Sequence, residues 1–91
     1  MPDNATSQNW PQRRYEAAFE ETCTRLAIRR KTDPTFTIEE LEGLLHTAYV
    51  AEGNNWTGRG AVHEITQSAT IAAYEHTLAE WRAERGGQPN P

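Results

Sequence analysis

The chain has 91 residues, a formal net charge of -4 and a single cysteine, which fits one small domain. About 14% of it is Leu, Ile, Val or Phe; a share under ~20% usually flags disorder, but three Trp and three Tyr argue for a folded domain with a thin core. The composition excludes an internal disulfide, and no stretch approaches the ~18 apolar residues of a membrane span.

Residues 1–9 are polar and without pattern, as is the 86–91 tail "GGQPNP"; both are expected to be flexible around a single domain over 10–85. The start has no basic segment followed by an apolar run, so no secretory signal is read and a cytoplasmic location is expected. From Pro11, the positions Tyr15, Ala18, Phe19, Thr22 and Leu26 recur at steps of three and four residues, which predicts a helix over about 11–31. Pro11 suits the first turn, where its missing N–H has no partner to lose. Asp33 precedes Pro34 and is pushed away from helical angles, which ends this helix.

The second start is the clearest local signal. In "FTIEEL" Thr37 and Glu40 have the spacing of a capping box, while Phe36 and Leu41 take the flanking positions of a hydrophobic staple. Ile38, Leu41, Leu45 and Ala48 form the stripe that follows, with Leu44 and Tyr49 at its margins. This helix is expected over 38–52, with Gly53 as a left-handed stop.

The connection "GNNWTGRG" at 53–60 carries more than a turn requires. Asn54 and Asn55 tolerate turn angles, and Thr57 is an expected N-cap. Trp56 and Arg59 are residue types enriched at binding hot spots. Asn54, Asn55, Trp56, Thr57 and Arg59 therefore form the candidate binding loop, with Trp56 as a core lid the competing structural role.

The third helix is expected over 60–85 and has two apolar faces. Val62, Ile65, Ala69, Ala72, Ala73, Ala79 and Ala83 make the first, and Ile71, Tyr74, Leu78 and Trp81 the second. An ordinary surface helix needs one such stripe. In a lone chain the other two helices could cover both faces; otherwise a second copy covers one, and the fold class expected is all-α, a small three-helix domain paired into a homodimeric bundle, with Ile71, Tyr74, Leu78 and Trp81 as the candidate dimer interface. Arg29 and Glu52 interrupt the inward stripes of helices one and two and form a candidate ion pair, within a chain or across a dimer, with solvated positions near the helix ends as the competing reading.

No catalytic or metal site can be assembled. "HEIT" at 63–66 lacks the second histidine of a zinc motif, and Glu42 and His46 are four apart where a di-iron bundle needs three. Cys23 has no partner cysteine and is expected to fill space on the core side of helix one. No cofactor is implied. The Arg-rich end of helix one, "RLAIRRK", offers a nucleic-acid surface, but the acidic total and the lack of interleaved aromatics weigh against it. The expected function is a non-enzymatic protein–protein interaction module with an unidentified protein partner. The alternatives are binding of a small anion at the Gly53–Gly60 loop and weak nucleic-acid binding at the end of helix one.

Overall fold

The computed structural model describes residues 9–53 and 60–86. Three helices account for nearly all of them: α1 (Trp10–Thr32), α2 (Ile38–Gly53) and α3 (Ala61–Gly86). Among the described residues there is no strand, and the fold is a small all-α, three-helix domain. The segments expected to be flexible lie, apart from Asn9 and Gly86, outside the described residues.

Local chemistry explains each boundary. Pro11 stands in the first turn of α1, and the Arg13 amide donates to the Asn9 carbonyl at 3.0 Å. Asp33 closes α1 in extended geometry, its amide donating to the Arg29 carbonyl. Arg29, Arg30 and Lys31 in the last turn complement the negative end of the helix dipole. At the start of α2 the Glu40 amide donates to Thr37 Oγ1 at 3.2 Å, the forward half of the capping box. Phe36 and Leu41 meet in the core as the staple requires. One expectation about caps is corrected. Gly53 remains within α2 and has no positive φ, because α2 extends through it. The carbonyl of Gly60 accepts the first bond of α3, from the Glu64 amide at 3.2 Å; Thr57, the expected N-cap, lies outside the described residues. Gly60 has φ 101°, with open space where a side chain would stand, so its backbone angle, not crowding, calls for glycine.

The order of cross-helix contacts gives the topology. Phe19 lies beside His76, Cys23 faces Thr77, and Arg30 reaches Glu84; the numbers rise together, so α1 and α3 run parallel. Glu42 pairs with Arg82 and Tyr49 with Glu75, so α2 runs antiparallel to α3. Both α1 and α2 pack on α3, and α1 and α2 do not pack on each other. α3 is the central helix, and this is why its sequence is apolar on two sides.

Its first face differs from the sequence expectation. Ala69 and Ala73 are fully buried, but Val62, Ala79 and Ala83 are exposed. The buried line continues from Ala73 to Thr77, where the Thr77 hydroxyl points to Cys23 of α1. Small residues at 69 and 73 let α1 and α3 approach closely, and Ala73→Leu is expected to cost about 1 to 3 kcal/mol by overpacking. Thermal or urea unfolding of the variant checks this; an unchanged midpoint would mean that the two helices are not closely packed there.

The second face meets α2 and the turn before it. Leu26, Phe36, Ile38, Leu41 and Leu78 form one buried cluster, with Leu44, Leu45, Tyr74 and Trp81 packed against it. A stack of four side chains extends the cluster. The Arg29 guanidinium lies 4.2 Å from the Phe36 ring centroid, Phe36 and Trp81 are 5.6 Å apart, and Arg30 lies 4.2 Å from Trp81. Each end is held by acids: Arg29 by Asp33 and Glu40, Arg30 by Glu84. These pairs are partly exposed and each is worth at most about 1 kcal/mol, so the apolar packing of buried Phe36 and half-buried Trp81 contributes more. We refer to this as the closed end of the bundle.

The 33–36 turn feeds into that stack. Asp33 Oδ1 accepts from the Thr35 amide at 3.0 Å and from the Thr35 hydroxyl at 2.6 Å, and the Phe36 amide donates to the Asp33 carbonyl. The Thr35 hydroxyl and amide, with smaller help from Arg29, hold the Asp33 carboxyl below its usual range. A carboxylate with a lowered folded-state pKa adds stability above its unfolded pKa of about 3.9, and that stability is lost as pH falls through the folded value. Asp33→Asn is therefore expected to lower the melting temperature at pH 7 and to flatten the acid decline. Parallel melts at pH 7 and pH 3 check this; equal declines in both proteins would count against the turn's role.

Candidate functional site

The loop nominated from the sequence can be located by its two ends. Asn54, Asn55, Trp56, Thr57 and Arg59 lie outside the described residues. The chain leaves at Gly53, on the end of α2, and returns at Gly60, before the start of α3. Because α1 and α3 are parallel and α2 is antiparallel, Trp10, Gly53 and Ala61 share one end of the bundle. This is the open end, opposite the Phe36–Trp81 stack.

A groove of about 350 Å³ lies there between the C-terminal half of α2 and the N-terminal half of α3. Leu44, Thr47, Ala48 and Ala51 line it from α2, and His63, Thr66, Gln67, Thr70 and Tyr74 line it from α3. Spacing explains the division of labour. Leu44, Ala48 and Ala51 continue the α2 stripe toward the open end, with alanines where a leucine would fill the space. On α3, Thr66, Thr70 and Tyr74 follow one another at four-residue steps and stand on one face. Val50 and Val62, 48% and 47% exposed, belong to the same stretches of α2 and α3. Neither lines the groove, and large hydrophobics left in water singly are ordinary.

The groove wall carries an unsatisfied group. Thr70 Oγ1 donates to the Thr66 carbonyl at 2.9 Å, the usual bond of a helical threonine to the preceding turn. Thr66 Oγ1 is buried and has no hydrogen-bond partner among the described residues. Leaving such a group unpaired costs about 1 to 3 kcal/mol.

On the α2–α3 side this end is acidic. Glu52 and Glu64 approach a shared depression with Gln67 and Ser68. Tyr49 donates to Glu75, and that bond, with smaller contributions from burial and from the charges of Glu75 and Glu52, raises the phenol above its ordinary range. The phenol therefore stays protonated and ties α2 to α3.

The other sequence-nominated residues have different places. Ile71 and Leu78 are buried inside the chain, 7% and 5% exposed, and Tyr74 and Trp81 pack against the same core. The chain's own α2 and the Phe36 turn thus pack on the face nominated for a second copy, burying Ile71 and Leu78 and leaving Tyr74 and Trp81 half-buried. The physical reason is the central position of α3: its second apolar face serves the chain's own α2. Within one chain Arg29 and Glu52 do not pair. Arg29 lies at the closed end with Asp33 and Glu40, while Glu52 is twelve residues beyond Glu40 in the same helix, about 18 Å along its axis.

Arg25, Arg29 and Arg30 each have an acidic partner, Glu21 for Arg25, which leaves Lys31 as the unpaired cation of "RLAIRRK" among the described residues. Cys23 is half-buried, and its thiol is raised, chiefly by burial, then by Glu80 and Glu20 against the lowering bond from Thr77. A raised thiol is a poor nucleophile at neutral pH. His76 is half-exposed and sits 3.1 Å from Glu80, with its ring 5.6 Å from Phe19. No group of three His, Cys, Asp or Glu side chains among the described residues could hold a metal ion, and no described helix is long and apolar enough to cross a membrane.

The α2–α3 groove was not nominated from the sequence. Its signal is the pairing of Ala48 and Ala51 with Thr66 and Thr70, small residues on both sides where the closed end has Leu41 and Leu78. Compared with protein-family models, with curated proteins and with solved structures, the chain matches none.

Proposed function

We propose that this chain is a protein–protein interaction module that receives an apolar segment of a partner, helical in form, in the groove between α2 and α3. The observation that carries this reading is the contrast between the two ends of the bundle. The closed end is filled by Leu26, Phe36, Ile38, Leu41 and Leu78; the open end replaces such residues by alanine and threonine and leaves a groove of about 350 Å³. Two antiparallel helices with small residues between them form the kind of trough that accepts a third, apolar helix face. An unpaired Thr66 hydroxyl in its wall favours an occupant that brings a hydrogen-bonding group.

The other readings have less support. The residues of the 53–60 connection that would hold a small anion lie outside the described residues, and the described acids nearest to it in sequence, Glu52 and Glu64, disfavour an anion. Nucleic-acid binding at the end of α1 would require Arg25, Arg29 and Arg30 to leave their acidic partners. Nothing in the described residues brings a nucleophile, a base and an orienting group together, and we propose no catalytic role.

The test places a charge in the trough with Ala48→Glu. Position 48 is half-buried at the groove and outside the core cluster, so the fold is expected to survive with a melting temperature close to the parent's. A tagged parent chain recovered from its native cell is expected to retain a protein that the variant loses. Equal retention by a folded Ala48→Glu chain overturns the groove as the contact surface.

A further inference from the structure

The open end carries a candidate occupant for its own groove in a second copy of the chain. Trp10, in the first turn of α1, is 43% exposed, although an indole offers roughly 150 to 250 Å² of surface to bury. Arg13 and Arg14 follow it by three and four residues and so stand on the same side of the helix. Neither has an ion-pair partner among the described residues, in contrast to Arg25, Arg29 and Arg30. Across the same end, Glu52 and Glu64 approach a common depression that shares Gln67 with the groove, and neither has an ion pair among the described residues. These cations and acids lie on different helices of one end. The charges match, and so do the shapes: an exposed aromatic one turn before two arginines, and an apolar trough beside two glutamates.

We infer that the chain self-associates through this end, the first turns of α1 of each copy docking on the α2–α3 groove of the other. Trp10 enters the groove, and Arg13 and Arg14 meet Glu52 and Glu64. The parallel course of α1 and α3 places the donating segment and the receiving groove at the same end of the molecule. A two-fold axis can then satisfy both contacts at once, which is the requirement for a closed, isologous dimer. The inference rests on the proposed use of the groove and names its occupant. It differs from a dimer through Ile71, Tyr74, Leu78 and Trp81, because those residues are used inside the chain.

The interface so formed is small. Two indoles and their surroundings fall short of the ~1,600 Å² of a standard interface, so the dimer is weak and dilution dissociates it. It also depends on salt, because its ion pairs are at the rim and are screened over about 10 Å at 0.1 M.

Sedimentation velocity of the full chain across a dilution series, from about 500 µM to below about 1 µM, tests it directly. The expected result is a monomer–dimer equilibrium that shifts to monomer in high salt. Trp10→Ala and the double reversal Glu52→Lys with Glu64→Lys are each expected to weaken association at least about tenfold, as loss of a hot spot does. All three positions are exposed, so circular dichroism should show an unchanged helical fold. The decisive mixture combines the Glu52→Lys, Glu64→Lys chain with a chain carrying Arg13→Glu and Arg14→Glu. Each reversed pair now faces like charges in its own homodimer, but the mixed dimer has one contact in which both signs are exchanged, and that contact should restore association. A monomer at about 500 µM overturns the inference, and so does a dimer indifferent to both reversals. The groove reading stands apart from this outcome: a monomeric chain that retains a partner lost by Ala48→Glu rejects self-association alone.

Discussion

Phe36→Ala is expected to lower stability by about 3 to 5 kcal/mol, the range for a large buried aromatic. Phe36 is 4% exposed and lies in the one apolar cluster that joins all three helices. Its ring is also the link between Arg29 and Trp81 in the stack at the closed end. Removing it therefore opens a cavity, strips the cation–π contact from Arg29 and leaves Trp81 packed on one side. Domains have only about 5 to 15 kcal/mol in total, and a chain with so few large aliphatics belongs at the lower end of that range. For a domain of this size each kcal/mol shifts the melting temperature by about 4 to 8 °C, so a fall of more than about 12 °C is expected. Thermal unfolding followed by circular dichroism checks it. A fall of only a few degrees would show that the cluster is not the centre of the fold.

Leu41→Ala carries the second large effect, about 2 to 5 kcal/mol. Leu41 is the largest side chain that is fully buried, at 0% exposure, and it is also the inner half of the staple with Phe36. A control sharpens the comparison: Ile28 is 56% exposed on α1, and Ile28→Ala is expected to stay within about 0.5 kcal/mol of the parent. Urea unfolding of the three proteins separates the two cases. Equal losses at positions 28 and 41 would contradict the assignment of inside and outside on these helices.

Much of this architecture was legible because short-range chemistry fixes helix ends. Pro11, Asp33 before Pro34, and Thr37 with Glu40 act on their immediate neighbours, and the ends they predict are close to those of α1 and α2. The use of each face was less legible. Two apolar sides on α3 describe a helix covered twice, but periodicity does not say whether the second cover is α2 or another copy. The chain's own α2 supplies it, through Leu41, Leu44 and Leu45 against Tyr74, Leu78 and Trp81. Arg29 illustrates the same limit. Its place on an inward stripe is evident in sequence, whereas its partners depend on which end of α2 lies beside it, and that is a tertiary fact. The Gly53–Gly60 loop drew attention by composition, and the groove lies at the end of the bundle where that loop leaves and returns. The groove itself is built from alanines and threonines, whose small size registers in sequence only as an absence of strong signal.

The central claim is that the open trough, and not the filled closed end, is where another polypeptide chain docks. The most direct measurement is the amide and methyl NMR spectrum of the labelled chain, recorded with and without the protein it retains. Shifts are expected to concentrate at Leu44, Ala48, Ala51, Val62, Thr66 and Thr70, with Leu26, Ile38 and Leu78 unmoved. Shifts centred on the Phe36–Trp81 end, with the groove resonances unchanged, would contradict it.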